Sequence, residues 1–328
     1  MKVDVLPTNC HLLIYHPEGC IGNCGFCPQS QYTHHQLSDT KQDQEYLSRV
    51  LWPAFDLDQV TTLFEQKFSK FDTSNTGFQR ICIQSLNYDR FESDLDNLIH
   101  KLTRVTSIPI SIAIPPVSQE KMKVYKKLGI DRICFAIDAA TPQIFDSVKG
   151  KGCDGPYSWE EHIELLTQAT EIFGRGYVST HLIIGLGETE YEALHLIQEM
   201  KDLGILTGIF AFFPIKKTRF ESQSRPEIVT FRKIQLGKYL IDIKKWNIND
   251  FTFDETGSIT HFPIDQTKLK RIISLSSPFE TSGCPGCNRP YYTSSPREEQ
   301  YNYPRILKSI EEQQVFEELH DVCKEVDE

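Results

Sequence analysis

Short runs rich in β-branched and aromatic residues recur along the chain, at His11–Tyr15, Arg80–Gln84, Ile108–Ala113, Arg132–Ile137, Tyr177–Ile184 and Gly208–Phe213. Each gap is long enough for a helix, the pattern of βα units and a parallel sheet. Helical stretches lie between them: Asp58–Phe71 behind a cap at Asp56, Phe91–Thr103, Ser118–Leu128, Thr141–Val148, Trp159–Phe173 and Tyr191–Leu203. Six such units predict an α/β fold of the partial barrel kind, (β/α)6. A further helix over Pro226–Lys245, with Pro226 in its first turn, would cover the outer face of the sixth strand. No internal repeat or low-complexity tract is evident. Composition shifts after Asn247, where irregular Gly/Ser/Pro-rich sequence leads to a charged helix near the end. The expected division is a barrel over 1–247 and a C-terminal extension over 248–328 that packs near the barrel mouth.

Composition narrows the function. A net charge of −10 over 328 residues, without a basic patch, argues against a nucleic-acid partner. Met1-Lys2-Val3-Asp4 leads into no apolar run of signal-peptide or membrane-span length, which points to a cytoplasmic chain with no membrane partner. Ten cysteines in such a chain read as metal or redox chemistry rather than a disulfide scaffold.

Three of them sit together in Cys20-Ile21-Gly22-Asn23-Cys24-Gly25-Phe26-Cys27, a C-x3-C-x2-C loop directly after the first strand. Barrel enzymes carry their reactive groups at the C-terminal ends of strands, and two further features obey that rule: Asp138 ends the fourth strand, and Gly185-Leu186-Gly187-Glu188-Thr189 follows the fifth. Thiolates select iron–sulfur clusters or zinc. A zinc site normally takes a fourth protein ligand, whereas three cysteines hold three irons of a 4Fe-4S cluster and leave the fourth open. A zinc loop, or three unrelated buried cysteines, are the other accounts.

The loop, with Phe26 just before its last cysteine, resembles that of the radical S-adenosylmethionine (SAM) superfamily. The resemblance implies that the open iron binds the amino and carboxylate groups of SAM and reduces it to a 5′-deoxyadenosyl radical. The segment His181-Leu182-Ile183-Ile184-Gly185-Leu186-Gly187-Glu188 is similar to the superfamily's G-x-I-x-G-x-x-E, with His181 in place of the first glycine. This assigns Ile183, Gly185 and Glu188 to the adenine side of the SAM pocket, with Phe26 and Gln84 among its other SAM-binding residues. Asp131–Asp138 followed by Ala139-Ala140-Thr141-Pro142 looks like the fourth strand and turn of biotin synthase, which implies that Asp138 hydrogen-bonds the SAM ribose. A helix cap or turn-forming aspartate is the plainer account.

Pro28-Gln29-Ser30 is also similar to biotin synthase, and Asn23–Cys27 to lipoyl synthase. Both families insert sulfur at unactivated carbons and sacrifice a second Fe–S cluster. Cys82 matches one interior ligand of biotin synthase, but Ser179 stands at another and the third strand carries no cysteine. Cys134 shares the side of its strand with Asp138 by period-two alternation; as buried thiols, Cys82 and Cys134 can equally be small hydrophobes. The alternative second site is Cys284-Pro285-Gly286-Cys287, a metal knuckle. Its remaining ligands are left among Cys10, Cys82 and Cys323, with Ser294 or Ser295 as a hydroxyl, and zinc is the competing metal. Cys10 begins the first strand, about 20 Å below its end at ~3.3 Å per residue.

Trp159–Thr189 and Gly283–Arg305 look most like the biotin-synthase-related subunits of the two-component lipoyl synthase. That resemblance implies sulfur insertion into a protein-bound octanoyl chain. It also implies three partners: a second related subunit, an octanoylated carrier protein or lipoyl domain, and a ferredoxin- or flavodoxin-type donor. Where biotin synthase grips the SAM carboxylate with arginine, His162 is the nearest equivalent here; Lys216, Lys217 and Arg219 are the other cations considered. Phe210, Phe212 and Phe213 are candidates for an acyl channel. The rival readings are a biotin-synthase-type enzyme acting on a free small molecule and a non-catalytic Fe–S or zinc protein.

Overall fold

The computed structural model describes residues 5–36, 53–67, 77–289, 294 and 298–324. Six parallel strands form one sheet in chain order: β1 (Asn9–Ile14), β2 (Arg80–Ser85), β3 (Ile110–Ala113), β4 (Ile130–Cys134), β5 (Val178–Ile184) and β6 (Leu206–Ala211). β1 and β6 are not hydrogen-bonded to each other, so the barrel is partial, as expected. Helices α1 (Gln31–Gln36), α2 (Leu57–Lys67), α3 (Phe91–Val105), α4 (Gln119–Lys127), α5 (Pro142–Val148), α6 (Trp159–Phe173), α7 (Glu190–Leu203) and α8 (Ile228–Asp242) fill the connections. The short α1, which follows the cysteine loop, has no counterpart in the sequence reading. The part of the expected second helix beyond residue 67 lies outside the described residues. Among the described residues no helix is long and apolar enough to cross a membrane.

Local chemistry sets the helix starts. Ser118, Thr141 and Ser158 each accept a backbone N–H from the first turn of α4, α5 and α6, which satisfies an otherwise orphaned donor. Thr189 and Glu192 form a reciprocal capping box that fixes α7 immediately behind the glycine loop. Pro226 does not open α8 as expected. It lies before the cap, and its carbonyl accepts the Tyr301 hydroxyl at 2.7 Å.

Strand alternation divides the sheet into two faces. Ile81, Ile83, Ile110, Ile112, Ile133 and Leu182 are buried in the main core. Asn9, His11, Cys82, Gln84, Ser111, Cys134, Ser179, His181 and Phe210 line a lumen on the other face. Register turns this lumen into rungs: His11, Cys82, Ser111 and Arg132 stand abreast, and one rung higher come Leu13, Gln84, Ala113, Cys134 and Ser179.

The extension is more regular than its composition suggests. It contains β7 (Thr252–Phe253), β8 (Ile259–Asp265), α9 (Gln266–Ile273), α10 (Ser309–Leu319) and β9 (Cys323–Lys324), with β7, β8 and β9 forming a small second sheet. Its apolar residues, among them Phe262, Leu269, Phe279 and Val315, join the same core as the barrel. One buried cation ties the two. Arg232 of α8, fully buried, donates to Glu318 Oε2 at 2.9 Å and to the carbonyls of Gln300 and Tyr301 at 2.6 and 2.7 Å.

The segment Thr281–Arg289 does not sit at the expected mouth. It crosses the opposite, N-terminal end of the strands. Ser282 Oγ accepts the Ile209 N–H of β6 at 2.8 Å, while Asn288 accepts the N–H of Thr8, just before β1, at 2.8 Å. The segment therefore spans the gap between the unpaired edge strands.

Removing one member of a buried charge network strands the others. Arg232→Ala is expected to cost about 3–5 kcal/mol, read as a lowered denaturation midpoint in urea. Lys233→Ala on the same helix, whose ammonium is only partly buried against Glu190, should cost less.

Candidate active site

The cysteine loop is held by backbone bonds to three parts of the barrel. Ile21 N–H donates to the Asn87 carbonyl at 2.8 Å, Gly25 N–H to the Val148 carbonyl at 2.8 Å, and Phe220 N–H to the Gly25 carbonyl at 3.2 Å. The turn Cys24–Cys27 is closed by the Cys27 N–H on the Cys24 carbonyl at 3.0 Å. Cys20 Sγ already accepts two backbone N–H groups, from Gly22 and Asn87, each at 3.3 Å. A sulfur with two donors is prepared for negative charge.

Asp138 and Lys149 face this loop. Asp138 is buried with a left-handed backbone (φ 65°) and is pinned by its N–H on the His181 carbonyl at 2.8 Å and by the Ile183 N–H on its own carbonyl at 2.9 Å. An aspartate in that region is uncommon, and such strain clusters at functional sites. Its Oδ2 pairs with buried Lys149 Nζ at 2.8 Å, and Lys149 also donates to the Ala136 carbonyl. Burial works against the lysine's charge, but Asp138 and Cys24 outweigh it and its pKa is raised.

The three thiols respond to burial first. All are pushed up, Cys27 to about 12; neighbouring cysteine sulfurs and Asp138 add to the rise at Cys24 and Cys27, backbone N–H groups oppose it at Cys20 and Cys27, and Lys149 opposes it at all three. Without metal they are neutral thiols. Among the described residues no three His, Cys, Asp or Glu side chains converge closely enough for a single metal ion. A cluster spreads its cysteines wider than one ion does, so three thiols on one backbone-anchored loop, facing a buried cation, suit a cluster better than zinc.

His162 is not the expected cation. It is buried on α6, with Nδ1 at 3.0 Å from the Ser158 carbonyl and its ring edge-on to Phe145 and Tyr157. Burial, and then Lys149, lower its pKa to about 3, so it is neutral. Its Nε2 is buried without a partner. Lys216 and Lys217 are exposed, and Arg219 is engaged by Asp154 at 2.9 Å and by the face of Tyr32. The cation at the loop is Lys149. Sequence gave no signal for it, because a lysine at a helix C-terminus is the ordinary partner of the helix dipole.

Gly185 and Glu188 form a self-contained turn. Gly185 has φ 105°, and a Cβ there would lie 2.8 Å from Pro226 Cδ. Glu188 accepts the N–H groups of Gly185 and Leu186 at 2.6 and 3.0 Å. Packing against Pro226 thus accounts for Gly185, and Glu188 is a strap on the loop. Ile183 shares the lumenal side of β5 with His181 and stands beside Phe210 of β6. Phe26 is half-buried against the core, and Gln84 lines the middle of the lumen.

Cys284 and Cys287 are not with the first loop. They enter the lumen from its other end, where Cys284 Sγ lies 3.4 Å from Ser111 Oγ and a Cβ on Gly286 would meet the Gln79 side chain. Cys82 is close enough to both for their charges to raise its pKa, which burial chiefly drives to about 12. The other candidate ligands fall away from this site. Cys10 stands beside Ile81, on the helix-facing side of β1. Cys323 is buried beside Phe262 of the small sheet. Ser294 accepts from Arg225 at 3.3 Å, and Ser295 lies outside the described residues. Of the three phenylalanines only Phe210 lines the lumen; Phe212 is buried against Phe220, and Phe213 lies under Arg225.

The model of the Radical SAM superfamily matches residues 14–200. The chain belongs to the radical SAM superfamily. Among solved structures it is similar to the FeFe-hydrogenase maturase HydG from Carboxydothermus hydrogenoformans, at 17% identity and a TM-score of 0.51 over 72% of this chain and 52% of that one. A second HydG structure matches at 14% identity and a TM-score of 0.50, over 71% of this chain and 49% of the other. At such identities the likeness is one of fold, and this radical SAM chain spans about half the length of those maturases. No curated protein matches it. Neither likeness reaches down to a subgroup of the superfamily, so the resemblance to biotin and lipoyl synthases rests on the motifs alone.

Superfamily membership implies a 4Fe-4S cluster and SAM, and Cys20, Cys24 and Cys27 are the residues that would hold the cluster. Raised thiol pKa values mean that iron competes with protons for these sulfurs. Loading should release protons and weaken by up to about tenfold per thiol for each pH unit lost, checked by pH-stat titration of anaerobic iron and sulfide uptake.

Proposed function

We propose that this radical SAM enzyme inserts sulfur into an octanoyl chain carried on a protein lysine, as one subunit of a two-component lipoyl synthase. The observation that carries the reading is the second cysteine pair, Cys284 and Cys287, opening into the same lumen that the first loop caps at its other end. A carrier or single-centre enzyme has no use for that arrangement. When bound, the first cluster supplies the electron that splits SAM, and a second on Cys284 and Cys287 supplies the sulfur.

The chain's own residues then have distinct tasks. Cys20, Cys24 and Cys27 hold the cluster, with the backbone of Gly22 and Asn87 stabilising charge on Cys20. Lys149 offers a buried positive charge to the SAM carboxylate, the task left vacant by neutral His162. Asp138, fixed by two backbone bonds, presents an acceptor to the ribose. Leu13, Ile183 and Phe210 give the lumen apolar positions for an acyl chain, and the barrel wall excludes water from the radical. A second related subunit, the octanoylated carrier and a ferredoxin- or flavodoxin-type donor complete the reaction in this reading.

The test is anaerobic turnover of the reconstituted chain, with and without a related subunit, on an octanoyl-lysyl peptide, free octanoate and dethiobiotin. Sulfur added to the peptide, seen by mass spectrometry alongside 5′-deoxyadenosine, is the expected result. Deoxyadenosine with no sulfur on any of the three would end the sulfur-insertion reading and leave radical SAM catalysis standing.

Lys149 gives a separate check. A charged hydrogen bond is worth about 1.5–3 kcal/mol, so Lys149→Met should weaken SAM binding by about ten- to a hundredfold in equilibrium dialysis. Lys149→Arg should recover part of the loss, and His162→Gln should change it little.

A further inference from the structure

One rung of the lumen contains a histidine that nothing in the radical SAM site uses. His11 of β1 stands abreast of Cys82 of β2, which stands abreast of Ser111 of β3. All three line the lumen, and Cys284 Sγ rests on Ser111 Oγ at 3.4 Å. Both ring nitrogens of His11 are buried and without a hydrogen-bond partner, as is Oδ1 of Asn9 one rung below. A buried polar group left unpaired costs about 1–3 kcal/mol. An imidazole with neither nitrogen satisfied, abreast of Cys82 and in the same lumen as Cys284 and Cys287, has the character of a ligand awaiting metal.

We infer that a second Fe–S centre is held by Cys82, Cys284 and Cys287 with His11 as its nitrogen ligand. The assignment rests on the reading of Cys284 and Cys287 as a second centre, and goes further by naming the two ligands that the cysteine pair lacks. Three local features support it. The pair is folded like the first loop: the Cys287 N–H closes on the Cys284 carbonyl at 2.9 Å, as the Cys27 N–H closes on the Cys24 carbonyl at 3.0 Å. The Arg289 N–H donates to Cys287 Sγ, just as two N–H groups donate to Cys20. Arg80 and Arg289 bring positive charge to these sulfurs, against the negative charge of a thiolate-bound cluster. Cys134 is the obvious competitor for the fourth position. It stands one rung higher and its thiol is already hydrogen-bonded to Ser179, so it has a partner where His11 has none.

The experiment uses the full chain with Cys20, Cys24 and Cys27 changed to alanine, so that remaining iron reports the second centre alone. About four irons per chain with matching sulfide are expected. They should fall to background in Cys82→Ser and in Cys284→Ser/Cys287→Ser but persist in Cys134→Ser. The reduced centre should show a nitrogen hyperfine coupling that changes on 15N-histidine labelling and disappears in His11→Ala. Thermal melts of the metal-free variants identify any that fail to fold, and the labelling readout needs no further substitution. Iron lost from the Cys284/Cys287 variant but kept in Cys82→Ser, or no histidine coupling, would overturn this ligand set and leave the sulfur-donor reading intact. Zinc, or no metal, in the three-alanine background would overturn both.

Discussion

An open six-stranded sheet leaves two strand edges unpaired and a lumen with two ends. Everything distinctive about this radical SAM chain follows from how these are closed. The upper end is closed by the loop that leaves β1 with three cysteines. The lower end is closed by Thr281–Arg289, which binds β6 through Ser282 and the approach to β1 through Asn288. Exposed edges invite unwanted pairing, and here one strap of chain spans the gap and delivers two thiols to the interior. The strap is held in turn by the extension's shared core and by Arg232, whose guanidinium gathers carbonyls from the segment that returns after it.

Charge is distributed along the lumen with the same economy. Near the upper loop a single buried lysine is balanced by Asp138. Lower down, Arg80 is balanced by Asp131 at 2.6 Å and also reaches Ser111. Between these lie neutral histidines: burial lowers the pKa of His181 to about 4, with Arg289 and Lys149 adding to the drop and Asp138 opposing it. Buried charges are tolerable only when paired, and anionic cofactors at either end would find a paired cation already in place.

Much of this was legible in the sequence, for physical reasons that can be named. Strand and helix order could be read because lumen-facing and helix-facing positions alternate and because Ser118, Thr141, Ser158 and Thr189 mark helix starts. The cysteine loop could be read because its spacing is itself the geometry. What escaped was tertiary. Lys149 stands where many helices carry a lysine and so stood out in no motif, and the parity that turns Cys10 away from the lumen needed the register of β1 on β2. The place of Cys284 and Cys287 depended on a return of the chain across some two hundred residues, which no local pattern encodes. His11 did leave a trace: polar Asn9 and His11 alternate with apolar Cys10 and Leu12, and a polar stripe inside a barrel strand marks a lumen with something to bind.

The strap is made late in the chain, and that orders assembly in time. Domains and their parts emerge from the ribosome N-terminal end first, so the six strands and the upper cysteine loop exist before Cys284 and Cys287 are synthesised. Until then the lower end of the lumen stands open beneath His11 and Cys82. This late segment is a stopper that also brings two thiols, so sealing the tube and completing its inner thiol set become a single folding event.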